Sequence, residues 1–414
     1  MRRILSLVAL VFISAGATVL PQQSSIPRLL RPALDSLRAH NEWTLAQQQS
    51  ICEIPAPSNH EERRAVELKR RFEALGLQHV RIDSMGNVIG ERPGSRRRPL
   101  VVLSAHLDTV FPEGTDLRVR REGTLLRGPG IGDDCRGLAV ILAVARALQE
   151  NPVRTDGSLL FVGTVGEEAA GRGRGVTYLL QRELPEEVDF FLTVDLGDFE
   201  ITNRAVGSMR YRVSYFGPGG HSFESFGMPN PIHALGRAIA TISDFQVPAD
   251  PRSTFNVGIV QGGRAVNAIA DTAAMTVEVR SVSAEELGRL NSLLFGAVTG
   301  ALRAERNRWR ASTVPIGLKI DTLNIRPAGQ VADSAPIMRA ALAAGRMLGV
   351  ATPLTAHSTD ANVAIAMGIP AIGLGHGGRG RGEHSLVETY DDGDQGYLGP
   401  QWATLIATAL TGLR

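Results

Sequence analysis

The chain has 414 residues, 43% of them hydrophobic and 21% charged, and this length predicts two or three domains with a packed core. The hydrophobic content excludes a disordered chain, and the net charge of +2 provides no basic field for binding nucleic acid. Two cysteines exclude a disulfide-dependent scaffold and a cysteine-rich zinc module.

The N-terminus has the features of a secretory signal peptide. Arg2 and Arg3 precede a short apolar run, and the small residues 15–17 follow as a cleavage site. A membrane anchor is the alternative, but the run is shorter than the roughly 20 apolar residues that span a bilayer. We therefore predict a signal peptide over 1–17, an N-terminal tail over 18–41, and an exported protein that is not membrane-bound after cleavage.

From residue 42, helical patterns and buried apolar runs alternate along the chain. The predicted elements are a helix at 61–75, a strand at 99–104, a helix at 137–148, a strand at 158–165, a helix at 175–181 and a strand at 190–194. This order predicts an α/β fold with a mostly parallel sheet and helices on both faces.

The pattern changes near residue 208, where strict alternation over 209–216 indicates a half-exposed antiparallel strand. The elements that follow are a helix at 231–242, strands at 254–260 and 273–280, and a helix at 284–303. We interpret residues 207–311 as an inserted α+β domain between two parts of the first domain, 42–206 and 312–414. The second part contains helices at 336–348 and 361–367, a strand at 371–374 and a final helix from 395.

Acidic and histidine residues follow the predicted parallel strands. His106 comes after the first strand, Glu167 and Glu168 after the second, and Asp195 after the third. Taken singly, each of these residues is more often a surface, core or helix-capping residue. However, ligand sites in open α/β sheets form at the carboxyl ends of strands. Clustered carboxylates repel each other, and a divalent cation is the usual compensation. Histidine and carboxylates without a cysteine cluster favour Zn²⁺, Co²⁺ or Mn²⁺ over a structural zinc site.

Six motifs occur in the order and with the spacing of one enzyme family: His106-Leu-Asp-Thr, Gly128-Pro-Gly-Ile-Gly-Asp133-Asp, Gly166-Glu167-Glu168, Asp195, Gly219-Gly-His221-Ser and Glu383-His384. Over about residues 42–411 the chain resembles the dinuclear zinc exopeptidases and deacylases. That family includes peptidase T, glutamate carboxypeptidase, aminoacylase-1, acetylornithine deacetylase and succinyl-diaminopimelate desuccinylase. The resemblance implies that 207–311 is a lid through which two copies form a homodimer.

The resemblance implies a site for two divalent ions, with zinc as the first expectation and cobalt or manganese as alternatives. His106, Asp133 and Asp195 are expected to hold one ion. Asp133, Glu168 and His384 are expected to hold the other, so that Asp133 bridges them.

Two further features of this site follow from the resemblance. Relatives carry a cis peptide after the bridging residue, which falls at Asp133–Asp134 here. His376 competes with His384 as the last ligand, and the match of Glu383-His384 to the family motif favours His384.

The resemblance also implies the catalytic residues. In a two-metal site a shared water becomes a hydroxide nucleophile near neutral pH, and Glu167 is the expected general base. Asp108 is expected to hydrogen-bond the free nitrogen of His106 and fix its orientation. In relatives the equivalent of His221 stabilises the oxyanion, often across a dimer interface.

Substrate contacts are expected from the lid. Asn267 and Arg280 match positions that grip a substrate carboxylate in several relatives, and an arginine fork suits that task. Either could equally be a surface polar residue. Asp360 is expected to help shape the far side of the pocket.

One departure from the family pattern concerns the cysteines. Relatives commonly carry lysine at the position of Cys135, and Arg136 could replace that charge by a shift of one position. Cys135 could be a buried inert thiol or contact the metal. Cys52 receives no role, and the sequence leaves open whether the two cysteines approach each other.

These features predict an exported metal-dependent exopeptidase that hydrolyses the amide bond of small peptides. An N-acyl-amino-acid deacylase with the same site is the alternative. A metal-free binding protein is the second alternative, although the presence of every expected ligand and of Glu167 argues against it. The expected partners are a small peptide or N-acyl amino acid and a second copy of the chain.

Overall fold

The larger of the two main sheets has nine strands and a parallel centre. The computed structural model describes residues 25–168 and 172–414, so the predicted signal peptide over 1–17 lies outside the described residues. The parallel strands lie side by side in the order Ser158–Thr164, Leu100–His106, Phe190–Leu196 and Ala371–Gly375.

Side chains of one central strand show that both faces of this sheet are covered. Val101 and Leu103 pack in one hydrophobic cluster, whereas Leu100 and Val102 pack in another. Because successive side chains of a strand point to opposite faces, these clusters lie on the two sides of the sheet. The predicted α/β class is therefore confirmed.

The remaining strands of the large sheet flank this centre. They are Gln78–Ile82 and Val88–Arg92 at one side, and Ile201–Ala205, Gly329–Gln330 and Leu354–His357 at the other. The associated α-helices are Arg31–Ala39, Asn41–Cys52, Glu62–Ala74, Cys135–Glu150, Arg174–Tyr178, Pro336–Leu348, Ala361–Ala366 and Leu398–Thr411.

The segment predicted as a tail over 18–41 contains a packed helix. Arg31–Ala39 buries Leu34 and Leu37 against the large sheet's core, because these apolar residues share one helix face. The folded unit therefore begins before residue 41. Within the described part of the chain, no helix has the length and apolarity of a membrane span.

The second main sheet, here called the lid sheet, is antiparallel and has its own core. Its strands in spatial order are Ser253–Gly262, Thr272–Ser281, Gly207–Phe216 and Gly317–Arg326, and its helices are Pro231–Ser243 and Ala284–Arg308. The predicted boundary at 311 falls before the last of these strands. The sequence analysis predicted no strand over these residues, and the boundary was therefore placed before them.

Two small sheets complete the described fold. Gly220–His221 pairs with Ala268–Ile269 at the periphery of the lid sheet. The other small sheet joins Arg120–Glu122, Leu125–Arg127, Thr389–Asp391 and Arg379–Arg381. It aligns the glycine-rich loop at 128–134 with the segment that follows His384.

Candidate metal centre

Five side chains converge at the carboxyl ends of the parallel strands. His106 Nε2 lies 2.9 Å from Asp133 Oδ1 and 3.4 Å from Asp195 Oδ1. His384 Nε2 lies 3.0 Å from Asp133 Oδ2 and 3.2 Å from Glu168 Oε1. Asp133 thus presents one oxygen to each histidine, as expected of a bridging ligand. Both predicted sets of three offer ligand atoms within 4.8 Å of one another.

The electrostatics of this cluster suit divalent cations. Burial raises the pKa of Asp195 well above its ordinary value, and the charges of Glu167 and Asp133 add to the shift. Hydrogen bonds to Asp133 and Glu168 raise the pKa of His384 to about 11. Both shifts arise because closely spaced, buried carboxylates lack a compensating positive charge, which a bound cation would supply. The set of imidazole and carboxylate donors fits Zn²⁺, Co²⁺ or Mn²⁺.

Asp134 connects the glycine-rich loop to its surroundings. Its carboxylate caps helix Cys135–Glu150 by accepting the N–H of Gly137 at 3.0 Å, and it accepts the N–H of His106 at 2.9 Å. The Asp133–Asp134 peptide is cis, as the resemblance implied. A side chain at Gly137 would lie 2.0 Å from the Val194 carbonyl oxygen, so glycine lets this helix start against the strand that carries Asp195.

The structure corrects the predicted contact of Asp108. The His106 Nδ1 atom lies 3.0 Å from the Asp108 carbonyl oxygen and 3.6 Å from its carboxylate. That carboxylate instead accepts the N–H groups of Glu167 at 2.9 Å and Glu168 at 3.1 Å, together with the hydroxyl of Ser58 at 2.6 Å. Asp108 therefore contacts His106 Nδ1 through its carbonyl oxygen, with its carboxylate also within 3.6 Å, and its side chain fixes the loop that carries the expected base.

Glu167 has a partner that sequence reasoning missed. Arg326, the last residue of the lid sheet, contacts the Glu167 carboxylate and lies 3.2 Å from the Ser358 hydroxyl. Both side chains of the ion pair are nearly buried, at 11% and 8% exposure. The two residues are 159 positions apart, and no local motif marks Arg326.

A cavity of about 290 Å³, here called the metal cavity, lies over these residues. Four expected ligands and Glu167 line one part of it, and Arg210, Arg280 and Arg326 also line it. Glu278 holds two of the arginines, with Arg210 Nε at 2.9 Å and Arg280 Nε at 3.2 Å from its carboxylate oxygens. The cavity therefore includes the predicted Arg280 and two arginines that were not predicted.

The structure does not bring His221 or Asn267 to the metal cavity of the same chain. His221 ends one strand of the small peripheral sheet and Asn267 immediately precedes the other, and the N–H of Ser222 donates to the Asn267 carbonyl at 2.9 Å. Both are exposed, and so are the adjoining Phe223 at 86% and Phe226 at 77%. Within one chain, His221 and Asn267 are therefore not placed to stabilise the oxyanion or to bind the substrate carboxylate.

Three other residues form no described hydrogen bond to the side chain of a predicted ligand. Asp360 is buried beside a second cavity of about 330 Å³, which shares Arg326 with the metal cavity. His376 is buried, with its Nδ1 atom 2.8 Å from the Gly377 carbonyl oxygen. Arg136 donates to the Gly396 carbonyl at 2.8 Å and stacks on Tyr390, so it does not replace the missing lysine charge.

Cys52 and Cys135 form a disulfide, which answers the question that the sequence left open. Both residues are fully buried, and their Cα atoms are 5.4 Å apart. The bond joins the end of helix Asn41–Cys52 to the start of helix Cys135–Glu150, next to the cis peptide. Cys135 is therefore neither a free thiol nor a metal ligand.

Comparison with known proteins gives consistent matches. The profile of Peptidase family M20/M25/M40 matches residues 102–399. A putative succinyl-diaminopimelate desuccinylase DapE of Mycobacterium tuberculosis is 32% identical over 242 residues, which is 56% of this chain. The match spans just under two thirds of that protein, at 66%. Carboxypeptidase G2 of Pseudomonas sp. is 27% identical over 340 residues, 78% of this chain and 78% of that protein.

A solved structure supports the fold. Aminopeptidase PepT from Bacillus cereus superposes with a TM-score of 0.73 at 20% identity, covering 89% of this chain and 98% of that chain. At this identity the likeness concerns the fold alone. The family profile, which matches more than half of the chain, agrees with the resemblance carried by the six motifs. The chain therefore belongs to peptidase family M20/M25/M40.

Proposed function

We propose that this chain is a metal-dependent exopeptidase that hydrolyses the amide bond of a small peptide with a free carboxylate. The observation that carries the proposal is the metal cavity, which combines the expected ligands with Arg210, Arg280 and Arg326. A carboxylate bound by an arginine fork would leave a nearby amide bond facing the ligand cluster.

His106, Asp133 and Asp195 would hold one ion, and Asp133, Glu168 and His384 the other. Two such ions supply Lewis acidity and an activated water. Glu167 accepts the proton of the attacking water and later returns it to the leaving amine. Arg326 contacts the Glu167 carboxylate, and Asp108 holds the backbone of that loop, so the base has a fixed orientation. Zinc is the first candidate, with cobalt and manganese next.

Homodimerisation and export are further parts of the proposal. His221 and Asn267 are exposed at the edge of the lid, which supports a role at the metal cavity of a second copy. The disulfide supports an oxidising compartment, in agreement with the predicted signal peptide.

An N-acyl-amino-acid deacylase is the second candidate, because its substrate also combines a carboxylate with an amide bond. The test is a panel of a dipeptide, a tripeptide and an N-acetyl amino acid, with the released products identified for the metal-loaded protein. We expect hydrolysis of the peptides. A preference of more than tenfold for the acetylated substrate would reject the peptidase.

The metal content of the purified protein distinguishes the two candidate enzymes, the exopeptidase and the deacylase, from a metal-free binding protein. We expect two divalent ions per chain after purification and dialysis. Less than one ion per chain, with no activity after addition of Zn²⁺ or Co²⁺, would favour the metal-free alternative.

A further inference from the structure

Glu388 is a fully buried carboxylate that binds the backbone of the glycine-rich loop. Its Oε1 atom accepts the N–H groups of Gly132 at 2.7 Å and Asp133 at 3.0 Å, and its Oε2 atom accepts the N–H of Gly130 at 2.9 Å. Its carbonyl oxygen also accepts the N–H of Gly128 at 3.1 Å. One residue therefore satisfies four backbone donors of this loop.

The geometry of this contact suits a carboxylate. Three converging N–H donors need an acceptor with several lone pairs, and a negative charge strengthens each bond. An amide at this position would place its own N–H₂ group against at least one of these donors. Buried donors that lose a partner are costly, so the loop would move to recover its hydrogen bonds.

Glycine provides the space for the carboxylate. A Cβ atom at Gly132 would lie 3.1 Å from Glu388 Oε1. This contact is tight for carbon and oxygen, so a side chain at this position would displace either the loop or the carboxylate.

The position of Glu388 connects two segments that bear expected ligands. Glu388 follows His384 by four residues, and the loop that it binds contains Asp133. The small sheet sets the register of the two segments by pairing Thr389 with Arg127. Glu388 continues this pairing into the loop, next to the 3.0 Å contact between Asp133 and His384.

We propose that Glu388 is a positioning residue that holds Asp133 and His384 in register, so that tight binding of the ion they share depends on its carboxylate. The proposal rests on the metal centre proposed above. Glu388 does not line the metal cavity, and it acts through the backbone of the glycine-rich loop.

Titration of the metal-free protein with Co²⁺ tests this role, by calorimetry and by the visible absorption of the bound ion. We expect Glu388→Gln to weaken binding of one of the two ions ten- to hundredfold. Glu388→Asp, which keeps the charge, should recover part of that loss. In Glu388→Gln, kcat should fall when metal is limiting. KM at saturating metal should change less than that.

Glu305→Gln is the matched control, because Glu305 is also fully buried and accepts a backbone N–H, that of Asn230 at 3.0 Å, within the lid. The Glu305→Gln variant should bind both ions as the wild type does.

If Glu388→Gln fails to fold, Gly132→Ala keeps the carboxylate and should weaken binding of the same ion. Wild-type affinity for both ions in Glu388→Gln, or in Gly132→Ala in its place, would overturn the proposal. Less than one ion in the wild type would instead reject the proposed metal centre.

Discussion

Arg326 contacts the carboxylate of Glu167, so the last residue of the lid sheet is bonded to the proposed general base. Arg326 also lines the metal cavity. One guanidinium can thus both orient the base and bind the carboxylate of a substrate.

Replacing Arg326 tests this double contact. We expect Arg326→Met to lower kcat/KM by about 10- to 100-fold, since a hydrogen bond to a charged group contributes about 1.5–3 kcal/mol. The variant should also discriminate less between a free peptide and its C-terminal amide. Arg326→Lys keeps the charge and should lose less. Unchanged kinetics on both substrates would remove Arg326 from the site.

The assignment of Glu167 as base predicts a variant that binds metal and does not turn over. Glu167→Ala should retain two ions per chain, while kcat falls by about 10²- to 10⁴-fold. Glu168→Ala is the contrast, because Glu168 is an expected ligand and its loss should lower metal content. Metal analysis beside steady-state kinetics separates the two. Substantial turnover by Glu167→Ala would contradict its role.

Metal binding should release protons. The pKa of His384 is about 11 without metal because of its hydrogen bonds to Asp133 and Glu168, and Asp195 and Asp133 help to raise that of His106 well above its ordinary value despite burial. Both imidazoles are therefore protonated at neutral pH and must lose a proton to bind a cation. Metal affinity should accordingly fall as pH falls. Calorimetry in buffers of different ionisation enthalpy should give at least about two protons released per chain, and binding enthalpies independent of the buffer would contradict this.

The disulfide between Cys52 and Cys135 should stabilise the part of the chain that is built on the nine-stranded sheet, because it closes a loop with a sequence separation of 83. A cross-link of this span restricts the unfolded chain, and its removal by Cys52→Ala with Cys135→Ala should cost about 2–4 kcal/mol of the free energy of unfolding. Denaturant unfolding of the oxidised protein and the double variant measures this difference. Equal unfolding midpoints, with the wild-type bond verified by mass spectrometry, would show that the bond does not stabilise the fold.

A subunit-mixing experiment tests whether His221 acts across a dimer. Glu167→Ala and His221→Ala should each be nearly inactive alone. If His221 serves the partner's cavity, co-expressed chains should recover about a quarter of wild-type activity, because half of the dimers are mixed and each mixed dimer has one intact site. Co-expressed chains as inactive as the parents would exclude a role in trans.

The sequence could predict that the side chains of His106, Glu168 and Asp195 lie close together, because strand ends fix where they stand. These three residues lie at or just beyond the carboxyl ends of adjacent parallel strands, so their convergence follows from the topology. Arg326 and Glu388 escaped prediction because their partners, Glu167 and the glycine-rich loop, are 159 and more than 250 positions away. Pairing at that separation depends on the packing of sheets, which residue spacing does not encode.

The direction in which a side chain points was the other feature that the sequence could not predict. Asp108 and Arg136 each stand beside an expected ligand in sequence, but backbone geometry turns them to other partners. The Asp108 carboxylate meets the N–H groups of the Glu167 loop, and the Arg136 guanidinium meets Tyr390. Proximity in sequence located these residues correctly and gave the wrong contacts.

The lid sheet begins and ends on neighbouring strands, with Ser208 opposite Arg326. Its entry and exit are close, since a Cβ at Gly207 would lie 2.5 Å from the Ala328 nitrogen. An insertion whose ends nearly touch can be gained, lost or exchanged with little cost to the host fold. The ion pair at the exit of the lid therefore ties a nearly self-contained insertion to the side chain that is proposed as the general base.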